Sequence, residues 1–389
     1  MNILLFILVS LSAIPIAVFF IEVLCSLLPK KNISIQNTGN EPLVAVLIPA
    51  HNESSIIGHT LKNITQQLPE NGRILVVADN CSDDTAMIAS THGAEVIERT
   101  DTENRGKGFA LDFGIKHLAN NKPDVVIIVD ADCLLDEGAL HKLAYAAVEY
   151  NRPIQALYMM HYSKPSLKQR ISEFAWLVKN HVRPLGLSNM GLPCQLMGTG
   201  MAFPWSIISK ASLASSNIVE DMKMGLDMAL EGNAPVFLPD ARVVSTFPEE
   251  GLAEQSQRKR WEHGHLSIIF TVLPKMFVVS VIKASKDLLA MVLDLIVPPL
   301  ALLTLITVFL FAAASSMLAI FNESTVFIFS LITLLTLAVS IFIAWLRWGR
   351  DTVSFTDLLM VPVYIISKIP LYITALFKRQ KEWIRTNRD

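Results

Sequence analysis

The chain has 389 residues, of which 52% are hydrophobic and 17% are charged, and its formal net charge is −2. Soluble domains carry about 25% charged residues, so this composition excludes a disordered chain and disfavours an ordinary soluble enzyme. The small negative charge also disfavours a nucleic-acid-binding protein that neutralises phosphates. We therefore expect a protein that lies partly in a membrane.

The first long apolar run begins near the start of the chain. Residues 3–28 contain one charged residue, Glu22, and are long enough to cross about 30 Å of hydrocarbon. The basic pair Lys30 and Lys31 follows this run, whereas a cleaved signal peptide begins with basic residues. Residues 1–30 are therefore predicted to form an uncleaved transmembrane helix whose C-terminal end faces the cytoplasm.

The next segment alternates short apolar runs with helical stretches. The predicted strands cover residues 43–48, 73–78, 95–97 and 124–129, and the predicted helices between them cover residues 54–67, 82–92 and 108–118. This alternation predicts a mostly parallel sheet with both faces covered. Ligands of such sheets bind at the carboxyl ends of the strands.

Polar side chains follow three of these strands. His51-Asn52-Glu53 comes directly after the first strand, which ends at Pro49, and Asp79-Asn80 comes after the second. Asp130-Ala131-Asp132 follows the fully apolar strand at residues 124–129. Because the ends of parallel strands share one edge of a sheet, the three clusters predict a single site.

The Asp130-Ala131-Asp132 cluster is the most informative of the three. Two carboxylates at the end of an apolar strand are costly to leave unpaired, and they suit a divalent cation such as Mg²⁺ or Mn²⁺ that also binds phosphate oxygens. The alternative is a simple cap of the strand end, with Asp132 opening the next turn. Arg105-Gly106-Lys107-Gly108 opens a helix, where backbone N–H groups and Lys107 can hold a diphosphate, although an ordinary helix-start turn looks the same.

These motifs, with three that follow them, resemble family 2 glycosyltransferases. Met197-Gly198-Thr199-Gly200 resembles the acceptor-site loop of that family, Glu220-Asp221 its ED motif, and Gln257-Arg258-Lys259-Arg260-Trp261 its QxxRW motif. The resemblance covers residues 43 to about 265, in the expected order. Two positions depart from the family pattern: His51 stands where Tyr is common, and Asn80-Cys81 where Asp-Gly is common.

The resemblance implies a GT-A catalytic domain over residues 40–265, which is an α/β fold with a nucleotide-binding, Rossmann-like mixed sheet. It implies that Glu53 and Asp79 bind the nucleoside of a nucleotide-sugar, with Lys107 assisting. Asp132 would coordinate the cation at the diphosphate, Asp130 would lie near the ribose or the metal, and Asp221 would be the general base. The remaining implied substrate-binding residues are Pro49, His51, Gly198, Thr199, Gly200, Glu220, Gln257, Arg260 and Trp261.

Two of these motifs have structural alternatives. Asp221 is also a good N-cap residue for a following helix. The run at residues 257–261 is also typical of a basic helix that faces lipid headgroups. In the functional interpretation, Trp261 offers an apolar face near the acceptor, and Arg260 offers a fixed pair of donors for a diphosphate.

The C-terminal third predicts a second membrane region. Residues 266–287 read as an interfacial helix region split by Pro274, and residues 288–346 as a transmembrane hairpin with a break at Pro298-Pro299. Residues 347–389 are predicted to form an interfacial helix and a basic cytoplasmic tail. This gives three spans, and the alternative is a fourth span at residues 358–377.

The sequence therefore predicts an inverting glycosyltransferase of the inner (plasma) membrane, multi-pass, with a cytoplasmic catalytic domain flanked by transmembrane helices. Its donor would be a UDP-linked sugar, and its acceptor a membrane-associated lipid-linked glycan or polysaccharide in cell-surface or exopolysaccharide synthesis. One alternative is a processive polysaccharide synthase that works as a homo-oligomer or with a polysaccharide-export partner. A non-enzyme alternative is a transport protein that senses nucleotide. Membrane lipids are the other expected partners, and no nucleic acid is expected.

Overall fold

The computed structural model describes residues 3–29, 41–215, 219–247, 252–322 and 324–361, with the side chains of residues 252–259 excepted. Its strands are β1 (Val44–Ala50), β2 (Arg73–Asp79), β3 (Glu95–Arg99), β4 (Val125–Ile128), β5 (Leu134–Leu135), β6 (Ile154–His161), β7 (Met201–Pro204) and β8 (Val236–Thr246). Its helices are α1 (Ile3–Ser26), α2 (Ile57–Thr65), α3 (Thr85–Thr91), α4 (Lys107–Leu118), α5 (Ala139–Tyr150), α6 (Leu167–Leu177), α7 (Arg183–Asn189), α8 (Trp205–Ile208), α9 (Glu220–Leu230), α10 (Leu252–Thr271), α11 (Leu273–Ile282), α12 (Lys286–Leu295), α13 (Leu300–Phe321), α14 (Ser324–Ala344) and α15 (Phe355–Leu359).

The chain divides into two compact units. One, which we call the sheet unit, contains the described residues within 31–161 and 192–256. The other, the helical unit, contains the described residues within 1–30, 162–191 and 257–381. Residues 162–191 and 257–265 of the predicted domain 40–265 therefore group with the helices.

The sheet unit is built on a mixed sheet with the strand order β3-β2-β1-β4-β7-β6-β8-β5. Strands β1 to β4 are parallel where they pair, and β7 runs antiparallel to both β4 and β6. The predicted α/β sheet is confirmed, because each predicted strand matches an observed one to within two residues at either end. Pro49 differs slightly from expectation, since it lies inside β1 opposite Val77 and the strand ends at Ala50.

Apolar side chains of the parallel strands form the core of this unit. Leu47, Leu75 and Val126 are fully buried and pack in one cluster with residues of α4 and β7. Gly114 of α4 allows this close packing, because a Cβ added there would lie 2.5 Å from Leu47 Cδ1. Burial of this apolar surface fixes the strands side by side and so places their carboxyl ends along one edge.

The helical unit contains three helices long and apolar enough to cross a membrane, counted among the described residues. They are Ile3–Ser26, Leu300–Phe321 and Ser324–Gly349, the last of which ends in a π-helical turn. A bent pair, Arg260–Thr271 with Leu273–Ile282, passes the same test only if its two halves are taken together. The alternative fourth span at residues 358–377 lies, from residue 362 onward, outside the described residues.

The predicted break at Pro298-Pro299 divides the first half of the hairpin, residues 288–320, into two helices. Helix α12 ends at Leu295 and α13 begins at Leu300, with Pro299 as its N-cap residue. Two consecutive prolines remove backbone donors and clash with the preceding turn, so a helix cannot continue through them. The span is therefore α13 alone, and α12 is a separate ten-residue helix.

A buried ion cluster joins three helices within the helical unit. Arg183 of α7 donates from Nε to Glu22 Oε2 of α1 at 2.7 Å, and from Nη2 to Asp294 Oδ1 of α12 at 2.6 Å. Gly186, one turn along α7, packs directly on α1, because an added Cβ would lie 2.0 Å from the Glu22 carbonyl oxygen. Glu22 and Asp294 are each the one charged residue of an apolar run, residues 3–28 and 288–320, and the structure supplies Arg183 as their common partner.

Candidate active site

The predicted polar clusters meet at the carboxyl ends of β1, β2 and β4. His51, just beyond β1, donates from Nδ1 to the backbone carbonyl of Asp79 at 2.6 Å, since a carbonyl can only accept. Asn52 and Asn80 both adopt positive φ, at 55° and 52°, which Asn tolerates better than most residues. The two strand ends are therefore held together by local turns and by direct hydrogen bonds between them.

Cys81 belongs to this junction. Its sulfur accepts from the Asn52 backbone N–H at 3.4 Å, and Ser82 N donates to Asn52 Oδ1 at 2.7 Å. Glu53 N donates to Thr85 Oγ1 at 2.8 Å, which ties the same loop to the start of α3. The departure from the family pattern at Asn80-Cys81 is thus accommodated by side-chain contacts that a glycine at position 81 could not make.

Asp79 is paired with a residue that the sequence analysis did not identify. Arg99, the last residue of β3, donates from Nη1 to Asp79 Oδ1 at 2.7 Å, and Asn80 Nδ2 donates to the same oxygen at 3.0 Å. Arg99 Nη2 also donates to Asp101 Oδ2 at 2.9 Å and to the Asn104 carbonyl at 2.8 Å. Adjacent parallel strands put Asp79 opposite Arg99 in register, and only the pairing of β2 with β3 reveals this.

Lys107 connects the glycine-containing loop at residues 105–108 to the aspartates at positions 130 and 132. It donates from Nζ to the Asp130 carboxylate and to the Gly198 carbonyl, the latter at 2.8 Å. Burial lowers the pKa of Lys107. The nearby carboxylates, Asp130 first and then Glu220, raise it by a larger amount, so the net shift of the pKa is upward and the ammonium stays charged. Gly106 precedes α4 with a φ of 127°, which favours glycine.

The loop at residues 197–200 supports Asp130 from the other side. Thr199 Oγ1 accepts from the Asp130 backbone N–H at 3.0 Å. The buried Gln155 of β6 holds this loop, donating to the Thr199 carbonyl at 3.0 Å and accepting from Met197 N at 2.8 Å. Gly200 has a φ of 62°, and an added Cβ would lie 2.7 Å from Val243 Cγ2, so no larger residue fits. Gln155 carried no signal in the sequence.

Asp130, Asp132 and Cys133 form the only group of three potential metal ligands among the residues that the structure describes. Their ligand atoms all lie within 4.8 Å of one another. Burial first, and then the Asp132 and Asp130 carboxylates, raise the pKa of the Cys133 thiol well above its usual range, so it remains a thiol. Ser245 Oγ donates to Asp132 Oδ2 at 3.1 Å and orients that carboxylate. Two oriented carboxylates with a protonated thiol fit a hard divalent cation such as Mg²⁺ or Mn²⁺.

Glu220 and Asp221 lie in the first turn of α9, on the same site. Val219 is the N-cap residue of this helix, so the alternative that Asp221 caps it is wrong. Asp221 Oδ1 accepts from Met222 N at 2.8 Å, and its Oδ2 lies 3.4 Å from the position of a Cβ built on Gly198. Burial and the adjacent Asp221 carboxylate raise the pKa of Glu220 to about 7. The second carboxylate oxygen of Asp221 is thus near Lys107 and the loop at residues 197–200.

Gln257, Arg260 and Trp261 lie on α10, and the helical unit contains all three. Trp261 stacks against Trp176 of α6, with ring centroids 4.9 Å apart, and Lys179 Nζ lies 5.3 Å from the Trp176 ring centroid. Within the helical unit this forms a small aromatic and cationic cluster. The roles of these three residues toward substrate stay predictions, as do those of the strand-end residues.

Comparisons with known proteins point to one family. A family model described as "Glycosyltransferase like family 2" matches residues 41–264. The chain is 26% identical over 258 residues to "Probable glycosyltransferase YdaM" of Bacillus subtilis, covering 62% of this chain and 60% of that protein. It is 36% identical over 97 residues to a 4,4'-diaponeurosporenoate glycosyltransferase of Staphylococcus aureus, covering 24% of each. The matches thus span 60% of the length of the first relative and 24% of the second.

A solved structure resembles the whole chain. It is the mannosyltransferase PcManGT from Pyrobaculum calidifontis, in complex with GDP-Man and Mn²⁺, with a TM-score of 0.56 and 16% identity. The likeness covers 97% of this chain and 100% of that one. At this level of identity it shows a shared fold.

Proposed function

This chain belongs to glycosyltransferase family 2, and we propose that it is an inverting transferase that moves a sugar from a UDP-linked donor to an acceptor at the membrane. One observation carries the proposal: Lys107 contacts both Asp130 and the Gly198 carbonyl, with Asp221 beside Gly198. A cation, two metal-binding carboxylates and a further carboxylate therefore converge at the carboxyl ends of the parallel strands. This is the set of charges that glycosyl transfer from a nucleotide-sugar needs.

The strand ends of β1 and β2 would bind the nucleoside of the donor. Glu53 and Asp79 supply carboxylates there, and His51 orders the junction through its bond to the Asp79 carbonyl. Lys107, next along the edge, would neutralise part of the charge of the diphosphate, because its ammonium is held in place by Asp130 and Gly198.

Asp130 and Asp132 would hold a divalent cation, Mg²⁺ or Mn²⁺, at this diphosphate. Such a cation, when bound, stabilises the negative charge of a departing nucleoside diphosphate. The fold neighbour from Pyrobaculum calidifontis was solved with Mn²⁺, which supports this choice of ion. Ser245 would keep the Asp132 carboxylate oriented toward the ion through its hydrogen bond to Oδ2.

Asp221 would act as the general base. A proton moves from the acceptor hydroxyl to the Asp221 carboxylate while the hydroxyl oxygen forms a bond to the anomeric carbon of the sugar. The bond from that carbon to the diphosphate breaks on the opposite side, so the nucleoside diphosphate leaves and the configuration inverts. The acceptor is the nucleophile, and this single displacement requires no covalent intermediate with the protein.

The acceptor would be a lipid-linked glycan or a polysaccharide, because three candidate spans accompany the sheet unit in one chain. Trp261 would offer the acceptor an apolar face, and Arg260 would donate to the diphosphate, as the resemblance of their motif implies. We place the enzyme in the inner (plasma) membrane with the sheet unit in the cytoplasm, since Lys30 and Lys31 follow α1 and Arg347 and Arg350 follow α14.

The test is a donor panel. The protein, purified in detergent, is incubated with UDP-, GDP- and dTDP-sugars, Mn²⁺ and a polyprenyl-phosphate or glycan acceptor, and release of nucleoside diphosphate is measured. We expect release from a UDP-sugar that stops in EDTA and in Asp132→Asn. Asp136→Asn is the matched control, because Asp136 is an exposed acid of the same sheet unit outside the site. Full activity of Asp132→Asn, or no turnover of any nucleotide-sugar, would contradict the proposal.

A further inference from the structure

We infer that Arg99 and Asn80 together select the base of the donor by leaving Asp79 one free acceptor oxygen. The inference rests on the proposed function, in which Asp79 binds the nucleoside. Arg99 would thus be a specificity-determining residue that acts through Asp79. The base that fits is one presenting a single ring N–H, as uracil and thymine do, and guanine fits less well.

The first step concerns the acceptor capacity of Asp79. A carboxylate oxygen has two lone-pair sites. Asp79 Oδ1 accepts from Arg99 Nη1 at 2.7 Å and from Asn80 Nδ2 at 3.0 Å, so both of its sites are used. Oδ2 accepts no hydrogen bond from any residue in the described part of the chain. Asp79 therefore has one oxygen left to offer a ligand.

The second step is that this arrangement is rigid. The Arg99 and Asp79 side chains are each only 10% exposed. The other guanidinium nitrogen of Arg99 is bound to Asp101 and to the Asn104 carbonyl, and its central carbon lies 5.6 Å from the ring centroid of Phe109. Asn80 is fixed as well, because its Oδ1 accepts from Asp101 N at 2.9 Å. Each donor side chain is thus held beside Oδ1 by at least one further hydrogen bond.

The third step concerns the bases. Guanine presents a ring N–H beside an exocyclic amine, and this edge pairs best with both oxygens of a carboxylate. Uracil and thymine present one ring N–H between two carbonyls and need only one acceptor oxygen. With Oδ1 saturated, guanine would lose one of its two charge-assisted hydrogen bonds and leave a polar group unpaired. The site is therefore matched to a pyrimidine of this type, in contrast with the GDP-Man held by the fold neighbour.

The experiment measures nucleotide binding directly. UDP, dTDP and GDP are titrated into the full chain in detergent with Mn²⁺ present, and their Kd values are measured by calorimetry. We expect UDP and dTDP to bind about 10- to 100-fold more tightly than GDP, the cost of one lost hydrogen bond to a charged group. GDP that binds as tightly as UDP would overturn the inference alone. Failure of all three nucleotides to bind would overturn the proposed function, and the inference with it.

Two variants assign the preference to Oδ1. Arg99→Gln removes one of the donors to this oxygen, and Asn80→Gly removes the other while keeping a residue that tolerates the φ of 52°. Each should narrow the ratio of GDP to UDP Kd, and an unchanged ratio in Asn80→Gly would refute the role of Oδ1 even if Arg99→Gln did not fold. Glu103→Gln is the matched control. It removes a charge from the same loop but keeps the backbone N–H through which Glu103 donates to Asp101 Oδ1 at 3.0 Å, so the ratio should stay at the wild-type value.

Discussion

Paired charges occur in both units of the chain, and the two clusters differ in how far they are closed. In the helical unit, Arg183 and Glu22 expose only 8% and 2% of their side chains. In the sheet unit, Lys107 and Asp130 expose 20% and 31%. A closed cluster cannot exchange a partner without opening the fold, whereas an open one can release a bond to accept a ligand. The same kind of ion pair therefore serves packing in one unit and, in our proposal, substrate binding in the other.

The largest expected effect comes from the open cluster. Asp221→Asn is nearly isosteric, so the fold and the metal ligands should persist while proton abstraction is lost. A positioned base contributes about 10²- to 10⁴-fold to a rate, and turnover should fall by that range. Binding of UDP, followed by calorimetry, should change little. A turnover near that of the wild type would show that another carboxylate is the base. Glu220 would then be the first candidate, tested by Glu220→Gln.

The closed cluster should respond in stability instead. Arg183→Gln leaves two buried carboxylates without their cation, and breaking such a pair costs about 3–5 kcal/mol. The melting temperature in detergent should drop sharply, or the protein should fail to fold. Lys107→Gln is the matched comparison in the open cluster, and it should lose turnover at a nearly unchanged melting temperature. Equal shifts in melting temperature for the two variants would erase the distinction between the clusters.

A smaller effect concerns pH. Glu220 has a pKa raised from 4.5 to about 7 in the folded chain, so between these values the folded state binds its proton more tightly than the unfolded state does. Stability should therefore fall as the pH rises through this window. Glu220→Gln removes that dependence. In EDTA, the melting temperature of this variant relative to that of the wild type should therefore rise between pH 5 and pH 8. Parallel curves for the two proteins would show that Glu220 titrates normally.

The sequence predicted the features that depend on local pattern. Apolar runs located β1 to β4 and the helices that span, and the carboxylates at residues 79, 130 and 132 appeared where strands end. Arg99, Thr199 and Ser245 were missed or left without partners, because their partners lie on other elements of the fold. Arg99 and Ser245 donate to the carboxylates of Asp79 and Asp132, and Thr199 accepts from the backbone N–H of Asp130. Arg183 was missed for the same reason, since its partners lie 161 residues before it and 111 residues after it. Residue pairing across the fold has no signature in a single sequence.

The joining of α1 to α7 and α12 has a consequence for the order of events during synthesis. Arg183 follows Glu22 by 161 residues, so at about 5–20 residues per second its codon is read roughly 10 to 30 seconds later. In our proposed topology, helix α1 therefore enters the bilayer while the Glu22 carboxyl group has no cation, and the many apolar residues of the helix offset that cost. Helix α1 would then wait for the synthesis of α7 and α12 before its final neighbours exist. In ribosome-bound chains that end before residue 183, α1 should accordingly be less stably inserted in the membrane than in chains that end after residue 294.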